Sequence, residues 1–408
     1  MKAPKPTELD GRTGEGGGQL VRLAVTLASV TSQPIRITHI RAIDWLAKAT
    51  GAEVEGLSIG SQTLEFRPSC GPSQLVERKI KIVADSPAAS ALLIFQAVFP
   101  LLLFAGDEKN QPIDLEISGG TNVSWSLSYE YLDQVLLPTL EDRFGIKVER
   151  QLKQRGWSLG SMSRGNIHFR IQPLKIGEQL RLKEPSRTDP NAKDFEVKAI
   201  DVSIVVPADM HELLTRALAK DLEMLFPDAE INFKVIDDSR NDARMYVLLV
   251  ARSETLRWGR DLLYAAQRKG KSKSMLSDSI SRQVCKELYE ELSTGGVVDE
   301  FLQDQLVVFQ ALADGKTSFP RSEIPEGSPQ TSSASSIVAE VEDAMAELGL
   351  TERKERLRKD KTHQPFGEGS GHTTTARWVT AELLPTVKWF NKGTICEGVG
   401  MKFDKALN

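Results

Sequence analysis

Leu9-Asp10-Gly11-Arg12-Thr13-Gly14-Glu15-Gly16-Gly17-Gly18-Gln19-Leu20-Val21-Arg22 is the stretch whose reading decides the fold. It sets five glycines among acidic, amide and arginine side chains and reads as a loop. The loop runs straight into an apolar segment, Leu23-Ala24-Val25-Thr26-Leu27-Ala28. Glycine accepts backbone angles and close contacts that other residues cannot. Consecutive free N–H groups at a helix N-terminus attract anions. The stretch therefore points to a phosphate- or nucleotide-handling site, with a plain glycine turn as the competing reading. The spacing is not G-x-x-x-x-G-K-[ST], because no Lys-Ser/Thr follows the glycines. Nor is it G-x-G-x-x-G in a clean strand–turn–helix setting.

Outward from that stretch, composition sets the limits. At 408 residues the chain has room for two or more domains, and 40% hydrophobic with 26% charged residues is ordinary for a soluble globular protein. A net charge of only −4 provides no global basic field, so any nucleic-acid contact must come from a local patch. Cys70, Cys285 and Cys396 are scattered with no Cys-x-x-Cys, which suggests a reducing compartment. No apolar run reaches membrane-spanning length, since Gln96 and Pro100 interrupt Ala88–Ala105. Met1-Lys2-Ala3-Pro4 lacks a signal-peptide core. An intracellular, soluble chain is expected, in the nucleoplasm or alternatively the cytoplasm.

Periodicity predicts alternating strands and helices. Residues 20–31 form a first helix, Pro34–Arg41 a strand and Ile43–Thr50 a helix stopped by Gly51. Short strands surround Gly60-Ser61 within Val54–Phe66, and Lys79–Ala84 is a strand. Ser86-Pro87 starts a buried helix over Ala88–Phe99 that Pro100 kinks or ends. Ile113–Ile117 is a strand, Tyr129–Arg143 a helix with a kink at Pro138, and Lys147–Lys153 and Asn166–Pro173 are strands. A polar connector, Lys183–Lys193, precedes a compact pattern. Its strands are Val197–Val206, Glu230–Ile236, Arg244–Ala251 and Thr255–Trp258, and its helices Met210–Leu225 and Met275–Leu292. An amphipathic helix follows at Val298–Leu306. Residues 315–370 read as largely disordered, with one helix at Ile337–Leu348 and a solvated charge run at Glu352–Lys361. Order returns from Gly369, with a helix to Leu384 and last strands near Val387–Phe390 and Gly400–Phe403.

The opening string, Asp-Gly-x-x-Gly-Glu-Gly-Gly-Gly-Gln-x-x-Arg, resembles the N-terminal signature of RNA 3'-terminal phosphate cyclases. Four further stretches are similar to that family in the right order: Ile40-Arg41-Ala42, Gly119-Gly120-Thr121-Asn122, Asp299–Leu306 and Gly371-His372-Thr373-x-Thr375-Ala376. Gly56–Pro68 also resembles it. The resemblance implies an α/β (α+β) fold of three repeats, each with two helices on a four-stranded sheet, plus a smaller inserted α/β domain. On this chain the body would occupy 1–180 and 295–408, the inserted domain 181–294, and a disordered insertion 315–368. The chemistry implied is conversion of an RNA 3'-phosphate to a 2',3'-cyclic phosphate. ATP adenylylates a histidine, AMP passes to the RNA phosphate, and the neighbouring 2'-OH expels AMP. ATP and a divalent metal, Mg or Mn, are the implied cofactors and RNA 3' ends the partner, with neither membrane nor DNA involved.

Residue by residue, the resemblance makes His372 the nucleophile, whose neutral imidazole has a free lone pair. Glu15 would hold the divalent ion on triphosphate oxygens. Arg22 and Arg41 suit phosphate by forked hydrogen bonds. Asp304 would orient His372 or bind metal, Gln305 would hydrogen-bond the nucleotide, and Gln19 is a further binding candidate. Asn122 reads as shaping a turn. His39, His168, His211 and His363 read as structural or linker histidines. One departure is large: the family's basic loop and Gln-His pair after Ile40-Arg41-Ala42 are absent, and Ala42 runs directly into Ile43-Asp44-Trp45-Leu46. Smaller departures lie at Ser86–Ser90, Leu127-Ser128 and Gly156–Ser161. The missing loop sustains an alternative reading, a catalytically impaired cyclase-like binding factor for RNA processing or ribosome biogenesis.

Overall fold

The computed structural model describes residues 5–10, 17–38, 45–56, 63–183, 192–265, 272–321 and 366–403. Their architecture is mixed α/β, as the sequence predicts, and comprises four sheets of three or four strands. The first sheet is built from β1 (Thr7–Asp10), α1 (Gly17–Thr31), β2 (Ile35–Thr38), α2 (Trp45–Ala49), β3 (Glu53–Glu55) and β4 (Thr63–Arg67), in strand order β1-β2-β4-β3. The second uses β5 (Lys79–Val83), α3 (Ala91–Leu103), β6 (Ile113–Gly119), α4, β7 (Val148–Gln154) and β8 (Gly165–Ile171), in order β5-β6-β8-β7. Here α4 runs from Tyr129–Tyr131 through a π-helical turn, Leu132–Leu136, into Leu137–Phe144. Both sheets pair their first two strands parallel and the rest antiparallel. A parallel pair requires a crossover connection, which α1 and α3 supply.

The third sheet contains β9 (Ala199–Val206), β10 (Glu230–Asp238), β11 (Met245–Arg252) and β12 (Arg257–Tyr264), in order β10-β9-β11-β12. Helices α5 (His211–Leu225) and α6 (Lys273–Ser293) belong with it. Strands β9 and β11 are almost continuously apolar because both faces are covered. Ile200, Val202, Ile204, Met245, Val247 and Leu249 share a core with α5 and α6, while Val205, Tyr246, Leu248 and Val250 join the core of the first two sheets. The fourth sheet follows α7 (Glu300–Leu312). It comprises β13 (Lys316–Ser318), β14 (Lys388–Phe390) and β15 (Ile395–Glu397), with α8 (Gly371–Leu383) preceding β14. Helix α1 packs on α3 and α8, and α8 packs on α7. Among the described residues no helix is long and apolar enough to cross a membrane.

Several boundaries differ from expectation for identifiable reasons. The Ser86-Pro87 pair does not open α3: Ser90 caps it instead, its hydroxyl accepting from Leu92 N and Leu93 N. Pro100 sits inside α3 without ending it, one turn from the C-terminus, where surrounding burial outweighs one lost hydrogen bond. At Pro138 the disruption takes the form of the preceding π turn. The carbonyl of Gln134, four residues upstream, accepts from Arg257 Nη1 at 3.3 Å in place of the N–H that proline lacks. Residues 400–403 form no strand, and β15 takes the central position between β13 and β14. Val399 N, Met401 N and Gly400 N instead bond the carbonyls of Ala311, Leu312 and Ala313, each at 2.9 Å, satisfying acceptors that the end of α7 leaves open. The turn at Gly60-Ser61 and the 322–365 part of the insertion lie outside the described residues.

Asp299 fixes where α7 begins. Its fully buried carboxylate caps the helix through Leu302 N at 2.9 Å. It also accepts from Tyr131 Oη of α4 at 2.5 Å and from Gly259 N of β12 at 2.8 Å. Asp299→Ala removes the cap and strands two buried donors, so the unfolding free energy should fall by about 3 kcal/mol. Urea titration checks this; a loss under about 1 kcal/mol would show that the three bonds are not the anchor they look like.

Candidate active site

The N-terminal turns of α1, α7 and α8 meet. The expected loop is shorter than its sequence suggests, because α1 already begins at Gly17 and carries both Gln19 and Arg22. Gln19 Nε2 donates to Asp304 Oδ2 at 3.0 Å, joining α1 to α7 across 285 residues of sequence. Gln305 Nε2 donates to both Asp304 oxygens at 3.0 Å. Arg22 faces the same carboxylate. Gly18 makes room for that guanidinium, since a Cβ there would lie 2.9 Å from Arg22 Nη1.

The third helix enters beside Gln303. Gly369, at φ +125°, would bring a Cβ to 3.1 Å from Gln303 Oε1, so the approach to α8 packs tightly against Gln303 of α7. Ser370 then caps α8 by accepting from Thr373 N. His372 is the second residue of α8 and is exposed, while Thr373, Thr374 and Thr375 behind it are buried. Arg377, only 2% exposed, locks the approach by donating to Glu368 O, with its guanidinium 5.7 Å from the Trp389 ring centroid.

Burial controls the electrostatics. Asp304 is pushed up to about 7, first by loss of water, against the amide of Gln305 and the charge of Arg22. Arg22 is pushed down to about 10 by its own burial, with Asp304 opposing. Gln19 Oε1 and Gln303 Oε1 are buried without a hydrogen-bond partner. Orphaned acceptors of this kind cost free energy unless a ligand supplies donors. The hydroxyls or amino group of a nucleotide would do so, so these residues fit such a ligand. Among the described residues no three His, Cys, Asp or Glu side chains gather as a metal centre.

The structure thus brings together Gln19, Arg22, Asp304 and Gln305, and places His372 on the helix packed between α1 and α7. Glu15 and Arg41 lie outside the described residues, as do His39 and His363. Gln305, expected to face a ligand, turns its NH2 to Asp304. Asn122 shapes its turn, accepting from the Thr121 hydroxyl and donating to Glu130. His168 pairs with Asp114, and His211 bonds the Val206 and Asp237 carbonyls. Sequence reasoning missed Gln303 and Arg377. An arginine inside the apolar run Ala376-Arg377-Trp378-Val379 was the available signal for the second.

The scaffold is that of an α+β protein, and comparison with known proteins places it in a family. A family model described as RNA 3'-terminal phosphate cyclase matches residues 13–347. The protein of that name from Thermococcus kodakarensis is 32% identical over 324 residues, covering 76% of this chain and 86% of its own. That from Methanosarcina mazei is 32% identical over 334 residues, covering 76% and 89%. That from Drosophila melanogaster is 27% identical over 346 residues, covering 78% and 86%. This chain belongs to the RNA 3'-terminal phosphate cyclase family. The family match ends before α8, so the case for His372 rests on its motif and on the packing of its helix.

Asp304 also gives a pH signature. Its folded value, about 7, lies above the ordinary 3.8, so the folded state holds the proton more tightly and stability declines as pH rises toward 7. Asp299 and Asp261, each raised to about 6 by burial, act in the same direction but finish earlier. Asp304→Asn should therefore flatten the stability profile between about pH 6 and 7 and leave below it a shallower decline, driven by Asp299 and Asp261. Urea unfolding across that range checks the difference; an unchanged slope there would contradict the assignment.

Proposed function

We propose that this chain is an ATP-dependent RNA 3'-phosphate cyclase working through a histidine–AMP intermediate on His372. The supporting observation is the cluster of Gln19, Arg22, Asp304 and Gln305 beside two orphaned buried amide oxygens, where α1, α7 and α8 meet. Helix N-terminal turns favour anions, so a triphosphate is stabilised where these helices converge.

In the proposed reaction an imidazole nitrogen of His372 bonds to the α-phosphorus of ATP and pyrophosphate leaves. The RNA 3'-phosphate then takes the AMP from histidine. The adjacent 2'-OH attacks the 3'-phosphorus, expelling AMP and closing the 2',3'-cyclic phosphate. His372 is suited to the first step because it is exposed at the head of a helix whose next three residues are buried and fixed. Arg22 and Arg41 would hold phosphate oxygens, Gln19 and Gln305 would orient the nucleotide, and Asp304 fixes both amides. Glu15 would hold Mg or Mn, which when bound neutralises triphosphate charge. RNA 3' ends are the proposed substrate and the nucleoplasm the proposed compartment.

The direct run from Ala42 into Ile43 favours a second reading, a family member that binds RNA or protein partners without turning over. Incubation with labelled ATP and a divalent metal should yield an acid-labile protein–AMP adduct that His372→Ala abolishes. A folded wild-type chain that takes up no label would contradict the catalytic reading and favour the binding one.

A further inference from the structure

One aromatic ring stands almost wholly in water. Trp125 is 99% exposed, and its φ of +63° is a left-handed conformation that a bulky side chain adopts only under strain. The segment around it is anchored on both sides. Thr121 N and Asn122 N bond Gly156 O at 3.0 and 2.9 Å, and Val123 is buried. Ser124 N donates to Ser158 Oγ at 3.3 Å, the Ser126 and Ser90 hydroxyls bond each other, and Ser128 caps α4. The fold therefore holds this ring outward. Strain maintained by surrounding structure is concentrated at functional positions.

Neighbouring segments extend the surface. The 157–163 loop, bonded to Ser124, exposes Met162. That loop is tied in turn to the third sheet: Arg244 lies over the Trp157 ring at 5.6 Å and donates to Ser161 O at 2.7 Å, and Asn241 sits against Gly160. Beside Asn241, Arg240 is exposed and also left-handed, at φ +56°. An exposed ring, a thioether and a guanidinium thus lie on three segments bonded together. Serines flank Trp125 on both sides, so the ring is an isolated apolar face in a polar segment. A planar face of this kind suits an unpaired base, which stacks on aromatic rings whatever its identity, and Arg240, joined to it only through the 157–163 loop, supplies a cation on the same surface.

Distance to the active site is bounded by the chain. Trp125 and Tyr131 are six positions apart, at most about 20 Å when extended. The Tyr131 ring lies 6.2 Å from that of Phe301, three residues before Asp304. We propose that Trp125 is a stacking platform for an unpaired RNA base a few nucleotides upstream of the 3' end, with Arg240 attracting the strand's phosphates. The proposal rests on the RNA reading above.

The test uses the full chain and a labelled single-stranded oligoribonucleotide of about ten nucleotides carrying a 3'-phosphate, a length within the usual single-strand site sizes. Trp125→Ala should weaken binding about 5- to 100-fold by anisotropy, the range expected for loss of one stacked base. Trp125→Phe should retain most of the affinity, and Arg240→Ala should weaken binding and flatten its salt dependence. Circular dichroism and the unfolding midpoint establish that each variant is folded, and Trp125→Phe alone carries the test through its own intrinsic retention if the alanine variant fails to fold: tenfold weaker binding there would overturn a stacking role. Wild-type affinity in Trp125→Ala overturns the proposal, as does wild-type affinity with self-association lost in sedimentation. A wild-type chain that does not bind the oligoribonucleotide refutes the RNA reading itself.

Discussion

The carboxylate of Asp299 ties three parts of the molecule to one point. It caps α7, receives the Tyr131 hydroxyl from α4 and receives the Gly259 N–H from β12. A buried carboxylate is costly, and burial pushes this one up to about 6, but three donors offset the cost. Ionic pairs reinforce the junction: Arg260, the next residue on β12, pairs with Glu291 and Glu300, and Arg321 pairs with Glu291. Breaking one partner of so buried a group strands the others. The beginning of α7, and with it the direction of Gln303, Asp304 and Gln305, is set there.

The site inherits that rigidity. Gln19 reaches Asp304 only because α1 packs against the α8 that also packs on α7, so residues from both ends of the chain share one carboxylate. Asp304 is held high and Arg22 low by the same desolvation, and each partly relieves the other. Such a cluster answers strongly to an arriving charge, because in a water-poor site each charge is poorly screened. That is the physical reason for proposing a triphosphate here instead of along the exposed sheets.

Much of this was legible in the sequence. The strands at Ile113–Ile117, Val197–Val206 and Arg244–Ala251 could be read from periodicity, whereas the burial of both faces of β9 and β11 came only with the fold. The glycine-rich stretch and His372 could be identified through their motifs, and Asp304 with Gln305 through the stretch Asp299–Leu306. What stayed hidden was tertiary. No periodicity shows that Ser90 caps α3 in preference to Ser86, that Arg257 compensates for Pro138, or that the segment after β15 closes the end of α7. By sequence Gln303 is one more polar residue on a helix, and only the fold sets Gly369 against it. Each depends on a partner distant in sequence, which local propensity cannot encode.

The central claim is that a nucleotide lies where α1, α7 and α8 meet. A crystal structure of the chain with AMP tests it most directly. The nucleotide is expected at that meeting point, with its phosphate beside His372 and a donor supplied to Gln19 Oε1 or Gln303 Oε1. A nucleotide bound elsewhere, with both amide oxygens still unpartnered, would contradict it.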